Sequence, residues 1–179
     1  MAFHCTILLT LLSILIPISA SAQPHTGQVA AGADIGMFLS TDEQLAPGLI
    51  ADAFAEFYVT PRLGIRPIVT AIRTEYDRDD DDDERQLRIG VDVIYNWERG
   101  RIHPFVGAGI AAHVLRFHRG GDHVPPSDTN MGTNVLGGIE VFMNRAWTLK
   151  LEGRYQWVRN RPTIDPDGLG ALIGLKRYF

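Results

Sequence analysis

From Val29 onward the chain is patterned in steps of two. Apolar and polar residues alternate through eight segments: Val29–Leu39, Leu49–Val59, Leu63–Tyr76, Gln86–Trp97, Ile102–Phe117, Thr133–Met143, Trp147–Trp157 and Gly168–Phe179. This is the period of a β-strand, whose successive side chains point to opposite faces. In the seventh segment Trp147, Leu149, Leu151, Tyr155 and Trp157 share one face, and Thr148, Lys150, Glu152, Arg154 and Gln156 share the other. In the fourth, Leu87, Ile89, Val91, Val93, Tyr95 and Trp97 oppose Gln86, Arg88, Gly90, Asp92 and Asn96. In the last, Leu169, Ala171, Ile173, Leu175 and Phe179 oppose Gly170, Leu172, Gly174, Lys176 and Tyr178. Most segments are near the length of about 9–11 residues with which a tilted strand crosses a bilayer. The third and fifth are longer and are expected to project beyond it.

The connections alternate as well. Thr60–Arg62, Glu98–Arg101 and Asn144–Ala146 are tight, whereas Ser40–Gly48, Asp77–Arg85, His118–Gly132 and Val158–Asp167 are long and polar. Short turns at one end, long loops at the other and an even strand count describe an all-β, eight-stranded antiparallel up-and-down transmembrane β-barrel. A soluble barrel would point its apolar face inward, and the Lys/Glu/Arg series alone fits either case. The aromatic residues favour the membrane. Phe57, Tyr95, Trp97, Trp147 and Phe179 sit at strand ends beside short turns or at the C-terminus, and Tyr155 and Trp157 sit at the opposite level. Two aromatic belts around an aliphatic band are expected of a lipid-facing surface, because amphipathic rings prefer the interface.

The N-terminus agrees. An apolar run from Ile7 to Ile18 precedes Ala20-Ser21-Ala22, which reads as a signal peptide over residues 1–22, cleaved after Ala22. Residues 23–28 are then a short N-terminal segment, and 29–179 form the barrel. Cys5, the one cysteine, lies within the signal, so the mature chain is expected to have no disulfide and no thiol chemistry.

With the apolar faces outward, the lumen receives Asp34, Asp52, Glu56, Arg66, Arg88, Asp92, Glu140, Lys150, Glu152, Arg154 and Lys176. Acids and bases nearly balance, and a barrel of this size has an interior that side chains can fill. Charges there must pair, since an unpaired buried charge costs several kcal/mol. A plugged core of paired charges is the expectation. A ring of like charge, the mark of a selective pore, does not occur. The facing of His113 is ambiguous from the sequence.

Catalytic signals are weak. Ser40 and Ser127 are the serines after the signal, both in outer loops, and neither adjoins a histidine or follows an aspartate. His103, His113, His118 and His123 have no evident orienting carboxylate, and their spacing is not that of a zinc site. The run Asp79, Asp80, Asp81, Asp82, Asp83 reads first as a solvated loop tip. It is also the weak metal candidate, able to associate loosely with Ca²⁺ or Mg²⁺ and to bridge to lipopolysaccharide phosphates. No cofactor and no nucleic-acid partner is indicated, and the outer loops as a group are acidic. His118–Gly132 is the longest loop and the natural contact surface for a partner.

The C-terminal strand ending on Phe179, Pro104–Gly109, and Val135–Val141 running into Trp147–Tyr155 resemble the small eight-stranded bacterial outer-membrane barrels of the OmpA, OmpX and OmpW type. The likeness covers essentially the whole mature chain. It implies recognition of the C-terminal strand by the barrel-assembly machinery, although an aromatic often stands where this chain has Arg177. It also implies contact with outer-membrane lipid and lipopolysaccharide, and a monomer. The expected function is structural or surface-interactive and non-enzymatic. The alternatives are a conduit for small hydrophobic molecules, with Phe38 and Leu136 as its only hints, a lipid A-modifying enzyme, and a soluble lipocalin-like carrier.

Overall fold

The computed structural model describes residues 24–42, 45–76, 79–97, 100–119, 122–123, 129–159 and 167–179. The segment expected to be a signal peptide, its expected cleavage site, Cys5 and Ser127 lie outside these residues. Eight long strands form the wall: β1 (Val29–Ser40), β2 (Gly48–Tyr58), β3 (Leu63–Tyr76), β4 (Asp79–Asn96), β5 (Ile102–Arg119), β7 (Asn130–Phe142), β8 (Trp147–Val158) and β9 (Gly168–Tyr178). Between the fifth and sixth of these, the two-residue β6 (Asp122–His123) pairs with the end of β5. Each long strand pairs antiparallel with the next, and β1 pairs with β9, which closes the ring. Closure removes every free edge, so all wall backbone groups can pair within the sheet.

The turns at one end are built from local chemistry. Asn144 Oδ1 accepts the backbone N–H groups of Ala146 and Trp147, each at 2.9 Å. Thr60 Oγ1 accepts Leu63 N–H at 3.0 Å. These side-chain turns reverse the chain in a few residues. Gly100, with φ of +63°, supplies the left-handed position in the turn that precedes β5.

At the other end one expectation is corrected. The run Asp77–Arg85 is not a long polar loop, because β4 begins at Asp79 rather than Gln86. Arg73 pairs with Arg85, Thr74 with Glu84 and Glu75 with Asp83, and after a register shift Tyr76 pairs with Asp79. The physical reason is that a backbone ladder needs only a continuous partner, and β3 supplies one as far as Tyr76. Beyond the bilayer no apolar face is required, so the period-two signal disappears while the strand continues. β4, at 18 residues, therefore joins β3 and β5, at 14 and 18 residues, as a strand longer than a bilayer crossing requires. Likewise β7 starts at Asn130, inside the segment expected as loop.

The outer surface of the wall is apolar. Ile35, Leu49 and Ile110 are 60%, 63% and 60% exposed, whereas Arg66, Arg88 and Lys176 are 0% exposed. That inversion of the soluble pattern leaves the lumen as the polar core. Glycines make room there. A Cβ at Gly174 would collide with the Asp34 carboxylate, and one at Gly109 with that of Asp92. A Cβ at Gly64 would lie 2.8 Å from Glu56 Oε1. Large charged side chains thus lie across strand positions that carry none, as a narrow barrel demands.

Candidate functional site in the barrel lumen

Strand alternation delivers side chains into the lumen at every second residue of each strand. At the end with the short turns, Ala30, Tyr58, Phe142 and Tyr178 form a buried apolar layer. Phe142 stacks on Tyr178 with ring centroids 5.4 Å apart, and His103 packs on Phe142 at 4.6 Å. The His103 ring also contacts the Gly100 carbonyl at 3.1 Å. The Tyr58 and Tyr178 hydroxyls are 3.0 Å apart. Lys176 Nζ donates to Tyr58 at 2.9 Å, and the Tyr178 hydroxyl donates to Glu140 Oε2 at 2.9 Å.

Above this layer the charges begin. Lys176 lies between Glu140 and Glu56, 3.3 Å from the latter. Arg66 clasps Glu56 through Nε at 3.0 Å and Nη2 at 2.9 Å, and reaches Glu152 through Nη1 at 2.8 Å. Lys150 contacts Asp34 at 2.6 Å and Glu152 at 2.8 Å. Phe54 fills the space between these cations, with the Arg66 guanidinium 4.8 Å and the Lys150 ammonium 4.3 Å from its ring centroid. Arg154 binds Glu152 and Asp52, the latter at 3.0 Å, and approaches Asp92 at 3.8 Å. Arg88 pairs with Asp92 at 3.1 Å and donates to Asn134 and to Thr70.

All eleven charged residues expected to face inward therefore lie inside, and the contacts join them into one connected network. Glu152 is its hub, touching Arg66, Lys150 and Arg154. Asp34 and Asp52 are terminal members, each meeting one cation among the described contacts. The polarity continues toward the long-loop end. His113 faces the lumen and is fully buried, with its Nδ1 2.6 Å from Gln86 Nε2, and Gln156 donates to Gln86 at 3.2 Å. Beside this polar layer Phe38, Ile50, Ile72 and Leu172 cluster. Leu136 packs elsewhere, with Ile94 and Phe105. Phe38 and Leu136 thus belong to separate packed clusters rather than one pocket.

Tyr58, Phe54 and Asn134 join this core without being singled out by the sequence, Gln86 and Tyr178 stand on faces that alternation turns inward but have no role assigned from it, and the structure resolves the facing of His113 as inward. The signal was present, since Tyr58 and Phe54 lie two residues either side of Glu56 and share its parity. Their bonding partners come from other strands and depend on register.

The aromatic candidates all lie on the outer wall. Phe57, Tyr95, Trp97, Trp147 and Phe179 are exposed at the short-turn end, and Trp157 is exposed, with Tyr155 half-buried beside it, at the other. Tyr95 packs edge-on against Trp97 at 5.1 Å, and Tyr155 packs at a tilt against Trp157 at 4.6 Å. Arg177, standing where an aromatic is usual, lies over the rings of Trp147 and Phe179 at 5.7 and 5.0 Å. It joins the belt through its neighbours' π-faces. The backbone of Asp79–Asp83 is strand, and the side chains of that run are outside the described set. Among the described residues no group of three or more His, Cys, Asp or Glu side chains is placed to hold a metal ion.

An apolar, aromatic-belted exterior around a charged interior, on a closed eight-strand antiparallel ring, defines an outer-membrane barrel. The chain belongs to the family described as the outer membrane protein beta-barrel domain, which matches residues 7–179. It is similar in structure to neisserial surface protein A, with a TM-score of 0.66 and 22% identity over 84% of this chain and 94% of that one. It is similar also to OprG from Pseudomonas aeruginosa, at TM-score 0.66 and 12% identity over 88% and 98% of the two chains. Ail, the attachment invasion locus protein of Yersinia pestis, aligns at TM-score 0.60 and 9% identity over 86% and 99%. At these identities the likeness establishes the fold. No curated protein sequence matches. The protein is a transmembrane β-barrel of the Gram-negative outer membrane.

Proposed function

We propose that this barrel is a non-enzymatic, monomeric outer-membrane protein, exported by cleavage after Ala22, whose lumen is closed by its own side chains. Its work is done by its wall and outer loops, in a structural or surface-interaction role. The observation that carries this reading is the continuous network from Glu140 to Arg88, stacked on the Tyr58–Phe142–Tyr178 layer. Moving a solute through it would require several buried ion pairs to part at once, and each costs several kcal/mol to break. Ser40, a nucleophile candidate by residue type, is used instead to shape a turn, accepting Asp42 N–H at 3.1 Å.

A second reading is favoured by one observation, the apolar Phe38–Ile50–Ile72–Leu172 cluster toward the outer end. It would serve as the mouth of a conduit for small hydrophobic molecules. Planar-bilayer recording with the refolded protein separates the two. The closed barrel is expected to give no resolved conductance steps and no accelerated uptake of apolar solutes into vesicles. Reproducible steps, or uptake abolished by Ile72→Trp, would overturn it. An unchanged lipid A mass spectrum on overexpression is the expected result for a non-enzyme.

A further inference from the structure

Among the described residues the charges of the lumen do not balance. Six carboxylates, those of Asp34, Asp52, Glu56, Asp92, Glu140 and Glu152, face five cationic groups, and none of the eleven residues is more than 5% exposed. An uncompensated charge at that depth is strongly unfavourable. His113 does not supply the missing positive charge. The Gln86 amide nitrogen donates to its Nδ1 at 2.6 Å while the Gln86 oxygen accepts from Gln156, which leaves the imidazole neutral. Its register partner on β4 is Arg88, so charging it would add repulsion.

The deficit falls on one place. Glu152 meets three cations, and Glu56 meets Arg66 and Lys176. Glu140 meets Lys176 and the Tyr178 hydroxyl, and Asp92 meets Arg88 and the Asn134 amide. Asp34 meets Lys150 alone and Asp52 meets Arg154 alone, each through Oδ2, and Glu152 shares both of those cations. Oδ1 of Asp34 and of Asp52 is buried and accepts no hydrogen bond from the described groups. The two residues are also register partners, directly opposite on β1 and β2. Like charges so placed repel. The flanking strands bring no further cation to them. β9 places Gly174 beside Asp34, and β3 places Thr70 beside Asp52, where the Thr70 hydroxyl accepts from Arg88 and Arg154. Arg66 on β3 and Lys176 on β9 are engaged by glutamates, and Arg88 on β4 by Asp92.

We propose that Asp34 and Asp52 form a binding site for one monovalent cation, a proton or a sodium ion, which neutralises the lumen and acts as a structural cofactor of the folded barrel. A single charge matches the deficit of one, and a divalent ion would overshoot it. No group of three or more metal-type side chains is placed for such an ion among the described residues. The unfolded chain holds both carboxylates in water and has no such site, so occupancy is linked to folding. The proposal rests on the closed-lumen reading, since an open, wetted lumen would screen the excess charge.

The test is urea unfolding of the full mature barrel in lipid vesicles at constant ionic strength, with pH and sodium varied separately and choline as the replacing cation. A bound proton is taken up on folding, so its stabilisation is present at low pH and lost as pH rises. The folding constant should then fall about tenfold per pH unit. The window is about pH 7 to 9, above the titration of unfolded histidines and below that of tyrosines. The infrared spectrum should also contain the carbonyl stretch of a protonated carboxyl group. A bound sodium ion gives no such band, and a folding constant that rises about tenfold per tenfold increase in sodium above its Kd. In either case Asp34→Asn or Asp52→Asn balances the lumen and should flatten the dependence, whatever its effect on stability at one pH. His113→Gln should leave the dependence in place. Flat pH and sodium profiles in the wild type would overturn the site, and so would a dependence that survives in both asparagine variants. The heat-dependent gel shift reports folding. If neither asparagine variant folds, the wild-type profiles and the infrared band decide by themselves. A barrel that is sealed in bilayer recordings but flat in both profiles loses this site and keeps the closed-lumen reading, whereas one that conducts loses both.

Discussion

Glu152 gives the sharpest test of the lumen network. Its carboxylate is shared by Arg66 and Lys150 at 2.8 Å each and by Arg154. Glu152→Gln keeps the shape, removes the charge and turns one acceptor into a donor that faces cations. Breaking a buried pair so that one partner is stranded costs ~3–5 kcal/mol. Here no cation is stranded, because Arg66 keeps Glu56, Lys150 keeps Asp34 and Arg154 keeps Asp52. What is lost is charge assistance in three contacts, about 1 kcal/mol each from the difference between charged and neutral hydrogen bonds. The expected loss is therefore about 3 kcal/mol. Asp34→Asn is the control. Asp34 touches Lys150, which retains Glu152, so the loss should be about 1 kcal/mol.

The assay is urea unfolding of the barrel refolded into lipid vesicles, under conditions where folding and unfolding curves coincide. It is followed by the fluorescence of Trp97, Trp147 and Trp157, which all face lipid. A double-mutant cycle between Glu152 and Lys150 isolates their coupling. If Glu152→Gln changes stability by less than about 0.5 kcal/mol, or Asp34→Asn costs as much as Glu152→Gln, the hub reasoning fails.

Other outcomes follow from the same geometry. Gly174→Ala drives a methyl group into the Asp34 carboxylate and should destabilise by about 1–3 kcal/mol, whereas Gly153→Ala, whose Cβ would meet only the Gly137 carbonyl oxygen at 3.9 Å, should be near neutral in the same unfolding assay. Lys176→Met leaves Glu140 without its cation and should cost about 3–5 kcal/mol, with most of it recovered in the double variant with Glu140→Gln. Arg177→Phe should preserve stability within about 1 kcal/mol and preserve assembly, measured as the heat-shifted fraction in outer membranes, because the π contacts to Trp147 and Phe179 are replaced by ring packing. Arg177→Asp should lower that fraction.

The sequence by itself determined the membrane-crossing part of each strand, the facing of most of them and the compartment. Period-two alternation is a property of one strand, and lipid outside forces it to be strict. Once Trp147, Leu149 and Leu151 point outward, Lys150, Glu152 and Arg154 must point inward, with no knowledge of neighbours required. Where the lipid ends the constraint ends too, so the strand character of Asp79–Asp83 was illegible; a backbone ladder there answers only to its partner on β3. The fifth strand was hard to read for a different reason, since Gly107, Ala108, Gly109, Ala111 and Ala112 are small on both faces and leave little contrast between them. Only closure of the ring decided who pairs with whom. Arg66 on β3 reaches Glu152 on β8 across the lumen, at a separation of 86 residues. The hub role of Glu152 follows from where eight registers bring side chains together. Alternation sets a residue's direction within its own strand, and only tertiary structure sets what it meets.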